Sequence, residues 1–284
     1  MLKRFLFSFQ VARRHPLSFF LRTLTFAAIL ITLATLGFLI LYILLKGIPF
    51  IRPSLFSPVY NSENVSLLPS IFNTLLIVLG AILIAGPLGI FSAIYMVEYA
   101  RKKNKFVAVV RLMTETLSGI PSIVYGLFGM LLFVSSMRFG YSLLSGILTV
   151  SIMILPLVIR TAEEALLAVP DSYREAAYGL GAGKLRTVIS VVLPTAVPGI
   201  LAGIILSVGR VIGETAALIY TAGTVADFPK DVFSSGRTLS VHMYELSREA
   251  LHTGEAFATA VVLILFVFIL NGISRKLSQK IGKI

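Results

Sequence analysis

The chain has 284 residues, of which 57% are hydrophobic and only 13% charged, and its mean hydropathy is +0.92. Soluble domains carry about twice that share of charge, so a soluble fold is excluded and each run of about 20 apolar residues reads as a membrane crossing. A net charge of +12 in a soluble protein would suggest nucleic acid. Here the basic residues flank apolar runs and set orientation, so no nucleic-acid partner is expected. There is no cysteine, and the three histidines have no metal-ligand spacing.

Six apolar segments follow in chain order: Thr23–Leu45, Ile71–Val97, Phe106–Val134, Tyr141–Ile159, Thr195–Thr221 and Ala256–Ile273. The first is too long for the apolar core of a signal peptide, about 7–15 residues, and no A-x-A site follows it. It is read as a retained span. The pattern predicts an all-α polytopic membrane protein with six transmembrane helices. Of the 25 Lys and Arg, seventeen fall on the side shared by both ends and the 160–186 segment, and six on the other. This bias places both termini in the cytoplasm. The loop Ala222–Glu255, then external, is long enough to hold a short helix. Pro and Gly at membrane depth, in "AGPLGI" (Ala85–Ile90) and "SGIPSIVYG" (Ser118–Gly126), mark either packing features or bent helices along a path.

Between the fourth and fifth spans lies "REAAYGLGAGKLRTVISVVLP", Arg174–Pro194. Its glycines and lysine suggest a phosphate-cradling loop. A P-loop would need glycine at 178 and Ser or Thr after Lys184, but these positions hold Tyr178 and Leu185. The dinucleotide pattern fails at Lys184 as well. The chain is therefore not expected to hydrolyse ATP. The stretch reads as a helix–turn–helix elbow. Ser172 and Glu175 have capping-box spacing, Ala176 and Ala177 give a narrow face, and Gly179, Gly181 and Gly183 allow a sharp turn. Leu185, Val188, Ile189 and Val192 recur at helical spacing, and Pro194 marks re-entry into the membrane.

The elbow resembles the EAA loop of ABC importer permeases, whose pattern is E-A-A, three residues, G, nine residues, I-x-L-P. Glu175, Ala176, Ala177, Gly181, Leu193 and Pro194 match in register, with Val191 in the isoleucine place. The resemblance implies a coupling helix, carried by Glu175, Ala176, Ala177 and Gly181, that docks in a groove of a separate ATPase subunit.

Buried charges indicate what crosses. Arg210 and Glu214 stand at i and i+4 in an apolar span, on one helical face, where they can pair. Intramembrane charges mark a pathway or lock two helices together. A guanidinium fits phosphate or carboxylate oxygens, which points to an anion. Arg111 and Glu115 have the same spacing near the cytoplasmic end, where snorkelling or an interfacial pair is expected. "PLGIFSAIYMVEYA", "LSGIPSIVYGLFG" and "GRVIGETAALIYTAG" resemble the PstA-type permease subunit of bacterial phosphate ABC importers, over about Ile71–Ser274.

That resemblance implies a substrate pathway at Arg210, Glu214 and Thr215. It implies a five-helix permease core (residues 71–274) preceded by an N-terminal segment with its own helix (1–70) and followed by a basic tail (275–284). It further implies a PstC-type sister permease, two PstB-type ATPase subunits holding ATP and Mg, and an external PstS-type phosphate-binding protein. This chain itself would hold no cofactor or metal and would not be an enzyme. Importers of sulfate, molybdate or phosphonate share the elbow and are the alternative. An ion-coupled secondary transporter would need paired inverted repeats, and none is visible.

Overall fold

The computed structural model describes residues 16–281 apart from 102, 103 and 250. The N-terminal cations Lys3, Arg4, Arg13 and Arg14, the loop residues Lys102 and Lys103, and Lys283 of the tail lie outside the described residues. Among the described residues the protein is all α-helical. The helices are α1 (Pro16–Gly47), α2 (Leu68–Ile94), α3 (Lys105–Ser118), α4 (Ser122–Gly129), α5 (Leu143–Leu167), α6 (Asp171–Gly179), α7 (Lys184–Thr187), α8 (Leu193–Ile212), α9 (Ala216–Ile219), α10 (Leu239–Glu249) and α11 (Thr253–Ile281). Wider π turns extend α2 over Tyr95–Tyr99, extend α4 over Met130–Ser136, and join α7 to α8 over Val188–Val192.

Five segments are long and apolar enough to cross a membrane alone, and α3 with α4 makes a sixth that is bent by 103°. The third predicted span is thus a broken crossing rather than a straight one. Pro121 disfavours helix at Ile120, and α3 closes through the 3.2 Å bond from the Gly119 N–H to the Thr116 carbonyl. The pair still traverses the layer. Arg111 of α3 bonds Glu163 near one end of α5, whereas Gly129 of α4 lies against Thr149 near the other. The break falls about midway between. At Pro87, by contrast, α2 runs on as one helix.

The fifth span also differs from expectation. It runs Lys184–Ile212 rather than Thr195–Thr221. Pro194 does not interrupt it, because it follows directly on the wider π turn Val188–Val192, and such local π adjustments, with Ser and Thr side chains, let a membrane helix carry a proline. The helix ends at Gly213, and Ala216–Ile219 forms a separate turn of helix.

Helices α2 and α5 form the centre of the bundle, with Ile77, Ala81 and Ala85 of α2 meeting Val150 and Ile154 of α5, joined by Ile212 and Leu218. Nearer the 168–183 elbow, Ala93, Ala162, Leu166, Val192 and Ile200 form a second cluster. On the far side, Leu55, Leu67, Leu239 and Leu246 form a third. The expected loop helix is α10, which buries Leu239, Val241, His242 and Leu246. Helix α1 stands apart with its central residues exposed. It meets the bundle at its far-side end, where Tyr42 packs edge-on to Phe257 of α11 at 5.7 Å.

Candidate functional site: an elbow and an interrupted mid-depth path

The elbow is α6, a four-residue turn and α7. Helix α6 begins after Pro170 with no side-chain cap, so the expected Ser172–Glu175 capping box is not formed. Pro170 fixes the entry, and Asp171 in the first turn suits the helix dipole. Gly181 has φ +83°, a left-handed conformation that closes the turn. Nothing lies within 4 Å of where its Cβ would be. Glu175, Ala176 and Gly181 are exposed, while Ala177 is turned inward and buried. The two alanines therefore do not form one outward face. Larger side chains project instead: Leu180 is 90% exposed, and Tyr173, Tyr178 and Leu185 are each more than 40% exposed. Tyr173, Ala177, Leu180 and Arg186 line a cavity of about 630 Å³ beside them. Of the helical repeat after the turn, Val188 and Val192 are buried, whereas Leu185 and Ile189 face out.

One residue that the sequence marks only as a cation anchors this elbow. The Arg174 guanidinium pairs with Glu98 at 2.7 Å and donates to the carbonyls of Leu166 (3.0 Å) and Val169 (2.8 Å) at the end of α5. It also reaches Asp171 at 3.2 Å. The Glu98 side chain is 5% exposed and that of Arg174 is 14% exposed. One side chain thus ties α6 to the ends of two central helices. The available signal was Glu98 itself, a lone carboxylate closing an apolar run.

Arg210 lies deeper. Gly199 meets Ala165, and four residues on Gly203 meets Thr161, so α8 and α5 run antiparallel. Continuing that register brings Arg210 level with Ile154, near the middle of α5. It is exposed on the surface of the chain, and among the described residues it makes no ion pair. The expected pairing with Glu214 is absent because the helix stops between them. Glu214 is instead 7% exposed, and its carboxylate accepts from the Ala217 N–H at 3.0 Å, capping α9. The Ser240 hydroxyl of α10 bonds its carbonyl. Thr215 is the first residue before α9.

Two helix interruptions therefore meet near Arg210. Gly126, just past the break in the third crossing, packs on Ala217 and Tyr220 of the α9 segment. Tyr125 donates to the Leu117 carbonyl across that break at 2.8 Å. Irregular backbone at membrane depth is tolerated where it is buried or lines a cavity. Arg111, expected to pair with Glu115, reaches Glu163 of α5 instead, at 2.7 Å.

On the far side, Arg237 is 6% exposed and stacks over Tyr60, 4.6 Å from the ring centroid. His242 lies fully buried beside it, with Nδ1 3.4 Å from the Ser70 hydroxyl. Burial first, and the Arg237 charge second, push its imidazole down to about 3.

The model of binding-protein-dependent transport system inner membrane components matches residues 85–283. A probable ABC transporter permease protein of Bacillus subtilis, YqgI, is 35% identical over 229 residues, covering 75% of this chain and 78% of that one. The phosphate transport system permease protein PstA of Yersinia pestis is 34% identical over 262 residues, covering 90% and 88%. Among solved structures, an inward-facing MetNI methionine ABC transporter aligns with TM-score 0.63 at 18% identity, covering 78% of this chain and 99% of that chain. A bacterial ABC transporter for alginate import aligns at 0.62 and 16% identity, covering 96% and 98%. These two likenesses concern the fold.

Proposed function

Because the chain belongs to the family of binding-protein-dependent transport system inner membrane components, we propose that it is the permease subunit of an ATP-driven importer of inorganic phosphate. The observation that carries the anion is Arg210, without an ion pair among the described residues and at mid-depth where two interrupted crossings meet. The relatives named as phosphate permeases support phosphate among anions. A bare guanidinium in an apolar layer is costly, and a passing oxyanion offsets that cost while it is bound. Glu214 holds the interruption in shape by capping α9, and Thr215, the residue before α9, offers a further hydroxyl at that interruption.

The excess of Lys and Arg on the elbow side supports a cytoplasmic elbow and cytoplasmic termini. The exposed tip at Glu175, Ala176, Leu180 and Gly181 then meets an ATPase subunit, and Arg174 passes its movement to α2 and α5. The partners are a sister permease, two ATPase subunits with ATP and Mg, and an external phosphate-binding protein. ATP hydrolysis belongs to those other chains, and this one is a conduit and a lever with no cofactor of its own. The test is ATP-dependent uptake of radiolabelled phosphate into vesicles holding the full complex. Competition by phosphate but not by sulfate or molybdate is expected. Uptake of another oxyanion would replace phosphate as the substrate, and uptake without the ATPase would overturn the coupling role.

A further inference from the structure

We infer that a basic pocket at the elbow-side end of α2 and α3 holds the phosphate headgroup of an anionic phospholipid. This rests on the reading of the elbow side as the cytoplasmic face of a membrane. The cavity, about 700 Å³, lies among the end of α2, the start of α3, the end of α5 and the first turn of α6. Its charges divide into two kinds. Arg174 is satisfied by Glu98 and Asp171, and Arg111 by Glu163. Arg101 and Lys105, also lining the cavity, make no ion pair among the described residues. Two carboxylates share Arg174 and Glu163 holds Arg111, so four cations face three carboxylates, and the two cations left without an ion pair among the described residues are Arg101 and Lys105. Lys105 opens the 14-residue α3, whose N-terminal dipole adds to the positive field.

Apart from Asn104, the uncharged lining is apolar, which a free phosphate would not use. Met96 and Val107 form a buried floor, and Leu167 at its edge is 60% exposed. Beyond it, α3 turns Phe106, Leu112 and Met113 outward, each more than half exposed. Acyl chains can lie along that face while the headgroup meets Arg101 and Lys105. Tyr95 and Tyr99, both over 40% exposed, stand on the preceding turn where interfacial aromatics belong. Basic pockets between helices on the cytoplasmic side suit anionic headgroups.

The test is native mass spectrometry of the intact complex, extracted from vesicles of phosphatidylcholine with phosphatidylglycerol. The complex is expected to retain phosphatidylglycerol over phosphatidylcholine. Arg101→Gln or Lys105→Gln alone should weaken that retention about fivefold, and the two together about thirtyfold. Arg101→Lys with Lys105→Arg should keep it. Equal retention by the double glutamine variant would overturn the assignment. So would release of the lipid by excess inorganic phosphate, which would make this a free-phosphate site. The retained lipid is counted whatever the complex transports, so this result stands apart from phosphate uptake.

Discussion

Replacing Arg174 by Gln removes the guanidinium that neutralises Glu98, whose side chain is 5% exposed. Breaking a buried pair by removing one partner costs about 3–5 kcal/mol, because the remaining charge is left buried. Two carbonyls at the end of α5 lose their donor as well. The cost falls locally, since the alternative to burying a bare carboxylate is to let α6 swing away and admit water. A shift of that size is a factor of about 10²–10⁴ between docked and released elbow. Hydrogen exchange over residues 171–180 should accelerate accordingly. In the reconstituted importer, ATP hydrolysis should continue while phosphate uptake falls. The double variant Arg174→Gln with Glu98→Gln replaces the ions by neutral amides and should recover most of the protection. Unchanged exchange and uptake in the single variant would refute the anchor. A double variant as impaired as the sum of both singles would show that the ion pair is not the source of the effect.

Arg210→Gln should reduce phosphate uptake roughly 10- to 100-fold, the worth of a charge-assisted bond, with the complex still assembled on size-exclusion chromatography; normal uptake would remove Arg210 from the path. Gly181→Leu meets open space but is forced to φ +83°, a strain of about 1–3 kcal/mol. It should uncouple ATP hydrolysis from uptake, with Gly181→Asn milder because Asn tolerates that region; an equal effect of both would point away from the backbone. His242, held at about 3 in the fold against about 6.5 when exposed, is neutral in the packed loop. Its contribution is therefore complete above about pH 6.5 and is lost as pH falls from there toward 3. Limited proteolysis of the 222–255 loop should quicken between pH 7 and 5, and His242→Gln should flatten that dependence.

The long helices were legible because burial in lipid demands apolar length, and the elbow because its glycines and alanines are spaced for a turn. What could not be read was where helices stop. Gly213 ends α8 in the middle of an apolar stretch, so Arg210 and Glu214, four residues apart, look like neighbours on one face yet point to different surroundings. The same holds for Arg111, whose partner is fixed by the packing of α3 on α5 rather than by its own helix. Pro121 was visible, but not whether it bends or breaks the chain, since Pro87 and Pro198 are carried within continuous helices. The Arg174–Glu98 contact joins residues 76 apart in sequence, and no local pattern announces it.

The π turn at Val188–Val192 takes up one residue between the elbow and α8. An α-helix advances about 100° of azimuth per residue, and a π turn holds one residue more than regular winding would place there. Loss of one residue there would let the turn relax to regular winding with the flanking helix still in phase, leaving Glu175 and Leu180 on their present bearing, whereas loss of a residue from a regular turn of α8 would swing them by about 100°. The direction of the elbow is thus tolerant of a lost residue at this one turn and exacting about the count everywhere else along the helix.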